Sequence, residues 1–166
     1  MEKLDAIDAQ ILDLLQRRGR IKRKDVADAV GLSLPSASER MRKLEERGVI
    51  TGYHATLDAR RLHVDITAFV RVLSTSSEHY GAFVEAVAAM DEVQELHSIT
   101  GEGSHILKVR VRNTAALEAL LARIQALPGV RGTQTSIVLS TLKETRYLPV
   151  APQTLYEPAE ANGVEP

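Results

Sequence analysis

Two short helical periodicities separated by only three residues constrain this chain most. Val26, Ala27 and Val30 recur on one side of a predicted helix over residues 23–30. Ala37, Met41 and Leu44 recur on one side of another, which Ser33 caps and which runs to about Arg47. Gly31-Leu32-Ser33 joins the two, and Gly48 stops the second. Upstream, Leu4, Ile7, Ile11, Leu14 and Leu15 mark a further helix, with Asp5 as N-cap, Asp8 in the first turn and Gly19 as the stop. A short glycine-containing turn between two short helices is the helix-turn-helix signature.

The last of these three helices would be the recognition helix. With Ala37, Met41 and Leu44 turned inward, rotation puts Pro35, Glu39 and Arg42 on the opposite face, flanked by Ser36, Ser38 and Lys43. Short polar groups with cations further on suit base edges and phosphates. Arg40 steadies the helix or reaches a phosphate. The pattern alone also fits an ordinary three-helix bundle with a polar outer surface. The cation distribution favours DNA. Arg17, Arg18, Arg20, Lys22, Arg23 and Lys24 fall within eight residues that contain no acid. Lys22, Arg23 and Lys24 open the middle helix, where this motif meets the DNA backbone. Residues 1–61 hold 13 Lys/Arg and 10 Asp/Glu, whereas the remainder holds 8 and 12, so a mildly basic part precedes an acidic one.

After Ile50 the period changes. Residues 52–57 read as extended and 58–62 as a short helical turn, together a linker over 51–65. From Ile66 the pattern is strand (66–73), helix (79–90), strand (93–100), strand (106–112), helix (114–127, capped by Asn113 or Thr114) and strand (133–142). This βαββαβ order is the ferredoxin-like split motif, an antiparallel sheet with helices on one face, and makes the whole chain α+β. Ile66, Ala68, Val70 and Val72 should face the helices. Phe69 and Leu73 should share the other face with Thr67 and Arg71. Ile137 and Leu139 alternate with Val138 and Leu142 in the last strand. A sheet apolar on both faces with helices on one needs a second cover, and another copy of the chain supplies it most simply.

Four stretches together resemble one family. They are Leu4-Asp5-x-x-Asp8-x-x-Ile11-Leu12, Gly31-Leu32-Ser33, Arg40-Met41-x-x-Leu44-Glu45 and Gly48-Val49-Ile50-x-Gly52-Tyr53. Their order and spacing are similar to those of the Lrp/AsnC (leucine-responsive, feast/famine) transcription regulators of bacteria and archaea. Thr100-Gly101 and Leu127-Pro128-Gly129-Val130-x-x-Thr133-x-Thr135 extend the match, which covers about residues 4–146. The resemblance implies an N-terminal winged helix-turn-helix domain (1–50) and a C-terminal effector-binding and oligomerisation domain (66–146). It also implies dimers, assembled further into tetramers or octamers. The DNA-binding residues would be Lys22, Arg23, Lys24, Ser33, Ser36, Ser38, Glu39, Arg40, Arg42 and Lys43. A small effector, typically an amino acid, would bind at Gly101, Glu102, Gly103, Ser104 and His105, with Thr133 and Thr135. Two glycines and a serine are equally good chemistry for a plain hairpin turn. The chain departs from the family at three positions in these regions. Lys22 stands where a small hydroxyl residue usually begins the second helix. Ser104 stands where an acidic residue would meet an ammonium group, beside Gly103 in place of something bulkier.

Other classes are disfavoured. The chain has no cysteine, hence no disulfide, thiolate metal site or cysteine nucleophile. No apolar run approaches the roughly 20 residues of a membrane span, and the acidic N-terminus does not read as a signal peptide, so a cytoplasmic location is expected. No cofactor motif or HExxH, Walker or GxSxG pattern occurs. If Thr100 pairs with His105 across the hairpin, His97 lies opposite Lys108, and His97 and His105 point to opposite faces and cannot share a metal. An enzyme is therefore not expected. An amino-acid-sensing ferredoxin-like module without a DNA role is the alternative. Six aromatic residues make a poor platform for RNA. Residues 147–166, rich in proline and acid, should form a weakly ordered tail.

Overall fold

A computed structural model describes residues 3–154. The described residues form two compact units, one from residues 3–56 together with 145–154, the other from Leu57–Glu144.

The first unit holds α1 (Ala6–Arg17), α2 (Arg23–Ala29) and α3 (Leu34–Glu46), with a two-stranded ladder of β1 (Lys3–Leu4) and β6 (Gln153–Thr154). Asp5 and Asp8 form a capping box on α1. The Asp8 amide donates to Asp5 at 2.8 Å and the Asp5 amide to Asp8 at 3.4 Å. Gly31 takes φ +69° and lets the Leu32 amide reach back to the Ala27 carbonyl at 3.0 Å, closing α2. Ser33 then caps α3, accepting from the Ser36 amide at 3.3 Å. Leu4, Ile11, Leu12, Leu15, Val26, Met41 and Leu44 form the core. Fully burying Leu44 contributes about 1.5–3 kcal/mol.

The tail expected to be weakly ordered from residue 147 is instead packed on α1 over its described part. The Tyr147 hydroxyl donates to Asp13 at 2.6 Å, and Arg17 donates to it at 3.0 Å while lying over the ring. The Leu148 amide donates to the Gln16 side chain at 2.7 Å, and Gln16 donates back to the Leu148 carbonyl at 3.0 Å. Val150 joins the core. The proline-rich composition had hidden this, because the contacts are made by Tyr147 and Leu148, just before Pro149, and by Val150 after it. The part of the expected tail after Thr154 lies outside the described residues.

The second unit is a four-stranded antiparallel sheet in the order β3 (Val93–Ser98), β4 (His105–Val111), β2 (Ile66–Ser74), β5 (Val130–Ile137). Helices α4 (Tyr80–Ala88) and α5 (Thr114–Gln125), the latter capped by Asn113, cover one face. Ala68, Val70, Val72, Leu107, Val109 and Val111 meet Phe83, Val87, Leu117, Leu120 and Ile124 there. The last strand starts and stops earlier than the expected 133–142, because it forms directly after the Pro128-Gly129 break and its pairing with β2 ends at Ala68↔Ile137. The hairpin register also differs from expectation. His105 pairs with Ser98, and His97 with Ile106, since Ser104 folds back to bond the Val72 carbonyl. His97 and His105 still point to opposite faces, by one residue rather than three. The face without helices carries Phe69, Lys108 and Arg110. Glu144 pairs with Lys108 and, at 2.9 Å, with Arg110, while Glu95 pairs with Lys108 at 3.2 Å.

Candidate DNA-binding surface and effector loop

Helix α3 presents its outward face because its inward one is fixed. Ala37, Met41 and Leu44 are buried, whereas Ser36, Glu39, Arg42 and Lys43 are exposed and Ser38 is half-buried. Arg42 donates from Nε and Nη2 to the two carboxylate oxygens of Glu39, at 2.9 and 2.6 Å, and from Nη1 to Glu46. The Arg42 guanidinium holds the Glu39 carboxyl below the usual carboxylate range. Lys43 lies 3.7 Å from Glu39.

Arg40 points elsewhere. It donates to Asp5 at 2.7 Å and Asp8 at 2.8 Å, tying α3 to the capping box of α1. The Asp8 amide, followed by Arg40, holds the Asp5 carboxyl below its ordinary value. Of the two roles read for Arg40, steadying the helix is the one these bonds serve. Ser33 is likewise engaged, as the cap of α3 and in a 2.8 Å hydrogen bond shared with Ser36. Lys22 is the N-cap of α2 and makes no side-chain cap bond. Lys22, Arg23 and Lys24 are exposed and enter no ion pair among the described residues. Sequence reasoning missed Arg47. It lines a hollow of about 380 Å³ with Ser36, Arg40, Lys43, Glu39 and Asp8, and donates to the Lys3 carbonyl at 3.4 Å. The spacing 36, 40, 43, 47 is one helical stripe and could have revealed it.

The hairpin loop is shaped by two left-handed glycines, Gly101 at φ +92° and Gly103 at +91°. A Cβ on Gly103 would fall 2.9 Å from the Val72 carbonyl oxygen and 2.7 Å from Arg71 Cγ, which accounts for the missing bulk at this position. The Ser104 amide donates to the Val72 carbonyl at 2.9 Å. The Ser104 hydroxyl shares hydrogen bonds with Ser74, at 2.7 Å, and with His105 Nδ1, at 2.9 Å. His105 is only 2% exposed and lies between Tyr80 and Phe83, with ring centroids 5.2 and 4.7 Å away. Burial pushes its pKa down, which favours the neutral imidazole, and its Nε2 has no hydrogen-bond partner among the described residues.

Ser104 and His105 line a cavity of about 220 Å³ with the loop between β2 and α4, Tyr80, Phe83 and Pro128. The cavity lining holds six hydroxyl groups and two imidazoles and no carboxylate. Gly101, Glu102 and Gly103 are outside it. So are Thr133 and Thr135. Both lie on the helix side of β5, opposite Val72 and Val70, and Thr133 accepts from Gln125 at 2.7 Å. The expected effector residues therefore divide into a cavity pair, a solvent-facing turn and two strand threonines.

Both units match known families. Residues 4–51 match a winged helix-turn-helix DNA-binding family, and residues 67–148 match the Lrp/AsnC ligand binding domain. The chain is 37% identical over 148 residues to the leucine-responsive regulatory protein of Haemophilus influenzae, covering 87% of this chain and 89% of that one. The chain belongs to the Lrp/AsnC family. It is a DNA-binding transcription regulator of that type. The HTH-type transcriptional regulator FL11 of Pyrococcus horikoshii is 35% identical over 147 residues, covering 89% of this chain and 97% of the relative. The feast or famine regulatory protein of Mycobacterium tuberculosis, solved with L-methionine, superposes with a TM-score of 0.80 at 33% identity and covers 89% of this chain and 99% of that one. No group of three or more metal-ligating side chains occurs among the described residues. No helix among them is long and apolar enough to cross a membrane.

Proposed function

We propose that α3 enters the major groove with Ser36, Ser38, Glu39, Arg42 and Lys43 toward the bases, while Lys22, Arg23 and Lys24 hold the phosphate backbone. The observation that carries this reading is the contrast between the two cation sets. Arg40 and Arg42 are committed to carboxylates, whereas the three cations opening α2 are exposed and unpaired. Unpaired cations displace condensed counterions on binding, and neutralised ones do not.

The second unit serves as the assembly and sensing part, in the cytoplasm and without catalysis. Two copies meet through the sheet face that no helix covers, where Phe69 remains 40% exposed, and the dimers assemble further into tetramers or octamers. The Ser104 loop and its cavity take a small effector. Methionine complexes of relatives make an amino acid the ligand class to test first, and a lining without a carboxylate means that this chain holds one weakly. An effector that binds one assembly better shifts the oligomer population and thereby the spacing of DNA half-sites it spans.

The test is the salt dependence of duplex binding by the wild type and by a Lys22→Ala, Arg23→Ala, Lys24→Ala triple variant. The variant should lose affinity for all sequences alike, and its log–log salt slope should fall by about 3. An unchanged slope contradicts the phosphate assignment.

A further inference from the structure

We propose that Arg42 reads a guanine and that Glu39 is its positioning residue rather than a reader of bases. This rests on the reading of α3 as the groove helix. A guanidinium carries five N–H donors in a fixed plane. Three are engaged here, Nε and one N–H of Nη2 by Glu39 and one N–H of Nη1 by Glu46. One N–H remains on each of Nη1 and Nη2. Two donors on neighbouring nitrogens are what the O6 and N7 acceptors of guanine take together.

The flanking carboxylates also decide against a phosphate as the target. Glu39 lies three residues before Arg42 and Glu46 four after it, so both stand on the outward face with it. A phosphate drawn to Arg42 would meet both carboxylates, whereas a neutral base edge meets only the remaining donors. Glu39, Arg42, Lys43 and Glu46 sum to zero formal charge. This patch therefore adds discrimination and little sequence-independent affinity. Two carboxylate partners also hold the long arginine side chain near one orientation before DNA arrives, which lowers the ordering cost of binding. Glu39 itself has both oxygens engaged by Arg42, so it has little capacity left for a cytosine amino group.

The experiment is selection of preferred duplexes from a randomised pool by the full chain and by Arg42→Lys, Glu39→Gln and Lys43→Ala variants. Glu39 and Arg42 side chains are 47% and 52% exposed, so these variants should fold, and circular dichroism melts check it. The wild type should favour guanine at one position of each half-site by about 5- to 150-fold. Arg42→Lys should weaken that preference, because an ammonium reaches O6 and N7 without the fixed plane of the guanidinium fork. Glu39→Gln should weaken it at the same position and leave the rest of the motif alone. Lys43→Ala should leave the guanine preference at that position in place, since Lys43 is not one of the partners that hold Arg42. If Arg42→Lys keeps the guanine preference undiminished, or Glu39→Gln alters a different position, the inference is wrong while the groove assignment stands. If the wild type selects no motif, both fail.

Discussion

The Tyr147 hydroxyl donates to Asp13 Oδ1 at 2.6 Å, joining the C-terminal segment to helix α1 across 134 residues of chain. The DNA-binding unit is thus closed by residues that follow the sensing unit in sequence. Ending the chain after Arg146 should lower the stability of the first unit, with the loss of Val150 packing alone about 1 kcal/mol. Tyr147→Phe should shift the denaturant midpoint the same way by less. Equal midpoints for the truncated and full chains would show that the segment is not part of the unit.

Asp8 is buried beside Arg40, so removing the arginine strands a carboxylate. Arg40→Ala should destabilise the first unit by about 1.5–3 kcal/mol and weaken DNA binding only through that loss. Asp5, held below its ordinary value of 3.8 by the Asp8 amide and then Arg40, contributes stability that is present above 3.8 and lost as pH falls through the lowered value. Acid titration followed by circular dichroism should show this contribution disappearing below about pH 4 in the wild type, and a smaller change in Arg40→Ala.

His105 gives the second unit the opposite kind of group. Its pKa is depressed by burial, so the folded imidazole stays neutral where the unfolded one, with its ordinary value of 6.5, takes a proton. The unit should be fully stable above 6.5 and lose stability as pH falls below it. Thermal melts between pH 8 and 5 should show a steeper decline for the wild type than for His105→Gln. Parallel declines would place the sensitivity elsewhere.

Ser104 offers a hydroxyl where a ligand ammonium would need a carboxylate, and the cavity beside it has none. Weak or absent response to the common amino acids is expected. A charge-assisted hydrogen bond contributes about 1.5–3 kcal/mol, so Ser104→Asp should strengthen amino-acid binding about 10- to 150-fold. Calorimetry of both proteins against the twenty amino acids checks this. Micromolar binding by the unmodified chain would contradict it.

Phe69 stands on the open sheet face with Lys108, Arg110 and Glu144 around it. Phe69→Glu should shift sedimentation toward the monomer while leaving the melt of the second unit nearly unchanged, since that side chain is not in the core. An unaltered sedimentation profile would move the dimer contact off this face.

Where each apolar residue faces a single neighbouring layer, the amino-acid pattern predicted the structure. Val26, Ala37, Met41 and Leu44 line the first core, Ala68, Val70 and Val72 the second, and Asp5, Ser33 and Asn113 cap the helices expected of them. What escaped depends on contacts distant in sequence. The hairpin register turns on Ser104 folding back to Val72, and the ordered tail on Gln16 and Asp13 meeting Leu148 and Tyr147. At the candidate site, the outward residues of α3 were legible from rotation alone. The pairing of Glu39 with Arg42 and the diversion of Arg40 to Asp5 and Asp8 were not, because a charged side chain can reach several partners from one backbone position.

The most direct measurement is fluorescence anisotropy of the full chain on a duplex it selects and on a scrambled duplex of the same length, over 50 to 200 mM salt. Sequence-specific recognition through α3 and the cations of α2 predicts about 10³- to 10⁷-fold tighter binding to the selected duplex and a steep loss of affinity for both as salt rises. Equal affinity for the two duplexes at every salt concentration would contradict the account.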